Sequence, residues 1–233
     1  MIKLEKTEVV GWEHAIRGMR NPMNSWEKSD SYTHGCYRTP KCYISKEYKV
    51  GPNDHELMMK LRNAGTDHRK FMRMIVVYLD ITAPLFLLKE FDTYKVGTVA
   101  NSCSTMHKIH AKKFTMEDFS CENLSHIDIG GGLGSPYQVF KDTVWMLNGL
   151  RELYLQTNDK SYWRQMIEML PSSYNQKRTV MLNYEVLANI YRSRKNHKLQ
   201  EWRDFCKWIE SLPYSEIITG VEVNAVKEEK NDV

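Results

Sequence analysis

The stretch LPSSYNQKRTVMLNYEVLANIYRSRKNHKLQEWR, from Leu170 to Arg203, decides the fold of the second half of the chain. Its opening Leu-Pro pair predicts the end of a preceding helix, because proline lacks the amide hydrogen that a continuing helix needs. A new helix is predicted from about Thr179 to Arg194. One face of this helix carries four residues at helical spacing: Asn183, Val186, Leu187 and Ile190.

Two asparagines and an arginine make this predicted helix a candidate binding element. Asn183 and Asn189 are poor helix formers, because their amides compete for backbone hydrogen bonds, and we interpret them as ligand-binding groups. Arg194 ends the helix with a planar, permanently charged fork that can hold a ligand. The alternative is structural: two asparagines satisfied within the core, and a cation at the negative end of a helix.

The second informative stretch is APLFLLKEFDTYKVGTVANSCSTMH, from Ala83 to His107. Pro84 is predicted to open a helix that Lys95 ends and Gly97 breaks. Side chains with hydroxyl and amide groups follow at Thr98, Asn101, Ser102, Ser104 and Thr105. Such a loop suits the binding of a phosphate or a heterocycle, and it equally suits an ordinary turn.

The rest of the chain predicts an α+β fold, with antiparallel strands early in the sequence and helices dominating the second half. Strands are predicted at Ile2 to Val10, where apolar and charged residues alternate, and at Met72 to Ile81, which we expect to be buried on both faces. Further helices are predicted at Trp12 to Arg20, Leu57 to about Asn63, Tyr137 to Thr157, Ser161 to Leu170 and Lys198 to Leu212. We predict a single domain over residues 1–221 and a charged tail over 222–233.

No metal site is expected from the histidines and cysteines. Cys36 and Cys42, with His34, match no standard zinc spacing. His107 and His110, expected on a helix, have no third ligand at a matching offset. The glycine-rich segment HIDIGGGLGSP at 126–136 fits no phosphate-loop pattern, so we interpret it as a flexible loop.

Composition places the chain among ordinary globular proteins. Of the 233 residues, 42% are hydrophobic and 27% are charged, and no apolar run approaches the length of a membrane span. The net charge of +4 suits an anionic small ligand, and without long runs of Lys or Arg no nucleic-acid partner is expected. The start, MIKLEKTEVV, does not read as a signal peptide, and five cysteines without a C-x-x-C pair favour a reducing cytoplasm.

The stretch from Leu170 to Arg203 resembles the C-terminal signature of the flavin-dependent (alternative) thymidylate synthases. The matching positions are Leu170-Pro171, then N-x5-N-x4-R at Asn183, Asn189 and Arg194, then Gln200. The family's Q-W-E stands here as Gln200-Glu201-Trp202, with its letters permuted. The resemblance implies that Asn183 and Asn189 contact the flavin, and that Arg194 holds the uracil of dUMP and takes part in catalysis.

A second part of the chain is similar to the same family. From Ala83-Pro84 the family runs through R-Q to R-H-R-x7-S, which falls here on Thr93-Tyr94-Lys95 and, after a one-residue insertion, on Asn101 and Ser104. The resemblance implies that Lys95 and Asn101 bind the cofactor, and that Ser104 binds the substrate and takes part in catalysis.

Several cations of the family pattern are absent from this chain. Met106 and Glu185 stand where the family has arginines. A further substrate-binding arginine is replaced by Ile167, and the nearest candidate for its role is Arg164, one turn earlier.

This resemblance implies a reductive methylation of dUMP to dTMP with FAD, methylenetetrahydrofolate and NADPH, in a homotetramer with shared active sites. Because Lys95 is the one cation kept of R-H-R, FAD is expected to bind weakly or to be lost. The alternative is a catalytically inactive or altered nucleotide-binding oligomer on the same scaffold. A third possibility is another uracil-modifying flavoenzyme with a different one-carbon donor.

Overall fold

The protein is described by a computed structural model over residues 2–34 and 47–220. Within these ranges the strands are β1 (Lys3–Val10), β2 (Tyr32–His34), β3 (Glu47–Lys49), β4 (Val76–Pro84), β5 (Val99–Ser102) and β6 (Asn175–Asn183). The α-helices are α1 (Trp12–Arg20), α2 (Pro52–Asn63), α3 (Leu85–Phe91), α4 (Pro136–Thr157), α5 (Lys160–Met169), α6 (Tyr184–Arg194), α7 (Gln200–Glu210) and α8 (Glu216–Thr219). The predicted α+β class, with an antiparallel sheet and a helical second half, is confirmed. No helix in these ranges is long and apolar enough to cross a membrane.

A four-stranded sheet has the order β1-β4-β6-β5, and β2 and β3 form a separate antiparallel hairpin. The prediction that the second strand spans Met72 to Ile81 and is buried on both faces is wrong. Met72 lies in a 3-10 helix at Arg69–Met74, and β4 alternates between buried residues such as Leu79 and more exposed ones such as Tyr78. An apolar β-branched run therefore forms a strand with one buried face here.

Pro84 ends β4, and α3 begins one residue later, so the prediction that Pro84 opens the helix is also wrong. Its φ of −65° and ψ of 147° are extended. The φ that the proline ring imposes suits the end of a strand as well as the start of a helix. The amide of Leu85 then donates to the carbonyl oxygen of Tyr174 at 3.0 Å.

The chain divides into two compact units. The first consists of Met1–Lys6, Leu79–Lys95 and Val99–Val180, and the second of Thr7–Tyr78, Val96–Thr98 and Met181–Val233. Strands β1, β4 and β6 each contribute residues to both units. The single-domain boundary at residue 221 stays a prediction, and the tail at 222–233 lies outside the described residues.

The core of the first unit forms where α4 and α5 pack together. Ser135 caps α4 by accepting a hydrogen bond from the amide of Gln138 at 3.2 Å, and Pro136 occupies the first turn, where its missing amide hydrogen costs nothing. The apolar stripe of α4 faces this core, where Val144, Leu147 and Leu150 are buried. They join a cluster with Ile109, Phe114, Phe119 and Met166.

The core of the second unit contains aromatic side chains and a buried ion pair. Trp12 packs edge-to-face against Tyr184 and Tyr214, with ring centres 5.3 Å and 5.1 Å apart. Asp54, in the first turn of α2, is fully buried and accepts a hydrogen bond from Nε of Arg20 at 2.6 Å. The resulting ion pair joins α1 to α2 inside this unit.

Candidate functional site

The junction of β6 and α6 places Asn183, the first residue of the predicted signature. Asn183 ends β6, and its side-chain oxygen accepts a hydrogen bond from the amide of Val186 at 3.0 Å, which caps α6. The prediction that the helix begins at about Thr179 is therefore wrong: the chain is strand up to Asn183, and α6 begins at Tyr184. Val180 and Leu182 are buried while their neighbours are more exposed, so this segment has the period of a strand.

Gly97 lies against the Asn183 side chain. It has a φ of 80°, and a Cβ added there would lie 3.0 Å from Nδ2 of Asn183 and 3.3 Å from Cγ2 of Val186. Both distances are tighter than ordinary side-chain contacts, so the absence of a side chain makes room for the asparagine amide. Because the Oδ1 atom of Asn183 caps the helix, Nδ2 is the donor of this side chain that the cap does not use.

Asn189 lies on α6 at a half-buried position away from the apolar face of the helix. Its Oδ1 atom accepts a hydrogen bond from Nη2 of Arg192 at 3.3 Å. The apolar face is confirmed for Val186, Leu187 and Ile190, which are buried. Asn189 thus presents its amide nitrogen as a donor beside a cation, which suits a carbonyl-bearing heterocycle.

Arg194 is stacked on an aromatic ring at the end of α6. Its guanidinium carbon lies 4.7 Å from the centre of the Trp202 ring, and Trp202 is fully buried on α7. A cation held over a ring face is stabilised by the ring quadrupole and loses freedom of orientation. The neighbouring Gln200 is engaged within α7, where it donates to Asp204 at 2.7 Å and accepts from Nη2 of Arg203 at 2.6 Å.

Three further predicted site residues follow one another in the first unit. Lys95 is exposed directly after a 3-10 helix at Asp92–Tyr94. Asn101 is exposed on β5, an edge strand of the sheet. Part of the predicted polar loop is therefore a strand. Ser104 accepts hydrogen bonds from the amides of Met106 at 3.2 Å and His107 at 2.9 Å, which leaves its hydroxyl hydrogen as the donor to a ligand.

Arg164 lies on α5 and already has a partner. Its Nε atom donates to Glu168 at 2.6 Å, one helical turn later, and both side chains are largely exposed. Such a surface pair is weak and releases its arginine easily. The substrate-binding role of Arg164 stays a prediction.

The two histidines once expected on a helix lie in turns. The ring of His110 packs edge-on against Tyr154 at 4.9 Å, and His107 is exposed. Among the described residues no three His, Cys, Asp or Glu side chains are grouped so as to hold a metal ion. Cys36 and Cys42 lie outside those residues.

Two ion pairs join residues far apart in sequence, which sequence reasoning missed. Arg178 on β6 donates from Nη1 to Asp92 at 2.5 Å, so a guanidinium group lies beside the 3-10 helix that precedes Lys95. Arg73 donates two hydrogen bonds to Glu185 on α6. Neither pair carries a local signal, because each joins separate secondary-structure elements.

A cavity of about 620 Å³ lies in the second unit. Its lining includes Trp12, His14, Tyr48 and Tyr214, and the backbone amide of Val50 donates to the Tyr214 hydroxyl at 3.0 Å. None of the predicted site residues lines this cavity. Of those residues, the four from Lys95 to Arg164 belong to the first unit and the three on α6 and its cap to the second, so their meeting in one site stays a prediction.

The fold is that of the flavin-dependent thymidylate synthases. Two crystal structures of thymidylate synthase X (ThyX) from Helicobacter pylori, both with FAD and dUMP, match the chain with TM-scores of 0.62 and 0.63 at 18% and 19% identity. They cover 93% and 92% of this chain and are themselves covered over 96%. A UMP/dUMP methylase, PolB from Streptomyces cacaoi bound with 5-Br dUMP, matches with a TM-score of 0.55 at 13% identity, over 91% of this chain and 89% of its own. No family model and no curated protein sequence matches the chain.

Proposed function

We propose that this protein is a flavin-dependent, thymidylate synthase-like enzyme that methylates dUMP to dTMP. The observation that carries the proposal is α6 in a fold shared with ThyX along nearly the whole chain: its cap Asn183, Asn189 and Arg194 keep the N-x5-N-x4-R spacing. The one-carbon donor is methylenetetrahydrofolate and the reductant NADPH. The odd cysteine count favours the cytoplasm as its compartment.

The available groups of α6 fit a flavin. Nδ2 of Asn183 and the amide nitrogen of Asn189 are donors that suit the ring carbonyls and nitrogens of FAD. When bound, reduced FAD supplies the methylene relay and the hydride. The protein's own contribution is to orient the ligands and place donors around them, so no side-chain nucleophile is needed.

Arg194 and Ser104 have the substrate roles. The fork of Arg194, placed over the Trp202 ring, is suited to two parallel hydrogen bonds with a pyrimidine edge. Ser104, whose hydroxyl oxygen is fixed by two backbone amides, donates its hydrogen to the nucleotide. Lys95 and Asn101 contribute an exposed cation and amide to the cofactor, and Arg164, once released from Glu168, contributes to the substrate.

A homotetramer is part of the proposal. Helix α4 exposes five large apolar side chains: Val139, Trp145, Met146, Leu153 and Leu155. Gly149 lies in the middle of this helix with no atom within 4 Å of the position of an added Cβ. An exposed glycine costs a helix about 1 kcal/mol relative to alanine, and it allows another helix to approach closely. We assign this surface to contact between subunits.

The second candidate function is a nucleotide-binding oligomer without catalysis. The observation that favours it is that Arg164 is engaged with a neighbouring side chain and Lys95 stands alone in place of three cationic or imidazole groups. Complementation of a thymidine-requiring bacterial strain separates the two functions. Growth without thymidine, lost in Asn189→Ala, supports the enzyme; dUMP binding without growth supports the inactive binder.

Flavin content provides a second test that is independent of turnover. The purified protein should show a flavin absorption band after incubation with FAD, and Asn189→Ala should weaken FAD binding by about 5- to 13-fold, since one hydrogen bond of about 1–1.5 kcal/mol is lost. Lys141→Gln, an exposed change on α4, is the control and should bind FAD as the wild type does. Absence of FAD binding in the wild type would contradict the flavin-dependent function.

A further inference from the structure

Four arginines lie around one face of α6. On this face the proposed function gives a role to Asn189 and to none of the arginines. Glu185, Asn189 and Arg192 follow each other at spacings of four and three residues, so they lie along one side of the helix. Arg69 and Arg73 reach this side from the 3-10 helix Arg69–Met74, which packs against α6. Arg62 completes the group from α2. We call these four residues, Arg62, Arg69, Arg73 and Arg192, the arginine cluster.

Glu185 neutralises only part of the cluster. Both of its carboxylate oxygens accept hydrogen bonds from Arg73, and Oε1 also lies 3.6 Å from Nε of Arg69. Asp67 adds a more distant negative charge that acts on Arg73. Among the described residues, these four positive charges face the two negative charges of Glu185 and Asp67, which leaves a local excess of two positive charges.

The positions of these charges are fixed by the fold. Arg62 donates from Nε to the carbonyl oxygen of Ile217 at 3.2 Å and from Nη2 to that of Ile218 at 3.3 Å, so its guanidinium group is fixed in place. Burial, followed by the positive charges of Arg69 and Arg192, lowers the pKa of Arg62. Holding these arginines together costs free energy, because their positive charges repel each other. A bound anion would remove that repulsion.

Arg69 has unused hydrogen-bonding capacity. Its side chain is only 14% exposed, and its Nε atom is enclosed without a hydrogen-bond partner among the described residues. Buried polar atoms in folded proteins nearly always have a partner, and one without it points to a missing water, ion or ligand. The guanidinium fork matches the oxygens of a phosphate group better than any other cationic side chain does.

We infer that the arginine cluster binds the phosphate or pyrophosphate group of a phosphorylated ligand. Arg69 and Arg192 are the contacting residues, Arg62 supplies fixed charge behind them, and Glu185 holds Arg69 and Arg73 in place. The hydrogen bond between Arg192 and Asn189 brings this anion site next to the amide at which we place a heterocycle. A ligand with a ring at Asn189 and a phosphate-bearing arm reaching the cluster would use both. The inference requires only such an anion and does not depend on the methylation reaction.

The test is calorimetric titration with inorganic pyrophosphate at low ionic strength, where charge interactions are least screened. The wild type should bind it, and Arg192→Gln should weaken binding by about tenfold, because a charge-assisted pair is removed. The matched control is Lys141→Gln, which removes one exposed positive charge on α4 and should leave the affinity unchanged. Arg69→Gln should act like Arg192→Gln. Because Arg69 is largely buried, the melting temperature of the Arg69→Gln variant is measured as well. If this variant does not fold, the test rests on Arg192→Gln, since Arg192 is exposed.

Competition identifies the source of the anion. Displacement of pyrophosphate by FAD but not by riboflavin assigns the site to a dinucleotide; displacement by dUMP but not by deoxyuridine assigns it to a nucleoside monophosphate. Pyrophosphate binding in a protein that binds neither FAD nor dUMP would support the anion site and contradict the proposed function. No pyrophosphate binding by the wild type, or an equal loss in Lys141→Gln, would overturn the inference.

Discussion

Replacement of Asp54 by asparagine should remove a large share of the protein's stability. The Asp54 carboxylate is fully buried and accepts hydrogen bonds from Arg20 at 2.6 Å, from the Ser29 hydroxyl at 2.7 Å and from the Ser31 hydroxyl at 2.6 Å. The backbone amides of Asp30 and Ser31 also donate to it, at 3.2 Å and 3.1 Å. Asparagine has the same shape, so no cavity forms. It loses the negative charge, and its amide nitrogen turns a donor towards groups that are themselves donors.

The magnitude follows from these contacts. Breaking one partner of a buried ion pair typically costs about 3–5 kcal/mol, because the other charge remains buried and unpaired. Arg20 is only 4% exposed, so water cannot readily replace the lost carboxylate. Its fork also donates to the carbonyl oxygens of Ser25 at 3.2 Å and Lys28 at 3.1 Å, which places the result towards the lower end, at about 3 kcal/mol.

Urea unfolding, followed by circular dichroism, measures this loss as a lower midpoint at an unchanged slope. The control is Glu56→Gln, which removes one exposed negative charge on α2. It should change the free energy of unfolding by no more than about 0.5 kcal/mol. If Asp54→Asn costs less than about 1 kcal/mol, in the range of a single neutral hydrogen bond, the buried pair contributes far less than its geometry indicates.

Three further outcomes are expected. Burial opposes ionisation of Asp54, but hydrogen bonds from Ser31, Ser29 and Arg20 outweigh it and lower its pKa, so this carboxylate contributes stability above its unfolded pKa of about 3.9. That contribution should be lost as pH falls below about 4, and acid titration of Asp54→Asn should show a smaller drop in the free energy of unfolding than the wild type. Arg194→Lys should weaken dUMP binding by about 1–3 kcal/mol in calorimetry with little change in melting temperature, since lysine keeps the charge and loses the fork; equal affinity would make Arg194 a helix-end cation only. Trp145→Lys on α4 should shift the proposed homotetramer to smaller species in light scattering, and an unchanged mass, or a monomeric wild type, would contradict the proposed subunit surface.

The helices of this chain were predictable wherever an apolar stripe and a clear start coincided. For α4, Ser135 and Pro136 mark the start and Val144, Leu147 and Leu150 give the period. The predicted start of α6 was wrong because the residues from Thr179 to Asn183, taken alone, fit the period of a helix as well as that of a strand. An asparagine followed by Glu185 in the first turn is itself a cap signal, so the cap at Asn183 could have been found from sequence.

The candidate site was only partly predictable, for a different reason. The spacing of Asn183, Asn189 and Arg194 is local, and the sequence displays it directly. The partners that fix or engage these groups come from elsewhere in the chain: Gly97 lies against Asn183, and Trp202 lies under Arg194. Contacts between separate elements depend on the packing of the whole unit, and no residue pattern along a single sequence encodes them.

Because Gly97 closely approaches Asn183, the residue tolerated at one of these two distant positions depends on the residue at the other. A Cβ at 97 would crowd the amide of Asn183, and the φ of 80° already disfavours residues other than glycine there. A substitution at 97 would therefore press directly on the cap and the first turn of α6, at Asn183 and Val186. A library that randomises Asn183 while keeping Gly97 samples only side chains that pack against a glycine, and a larger group at either position would require both to be redesigned together.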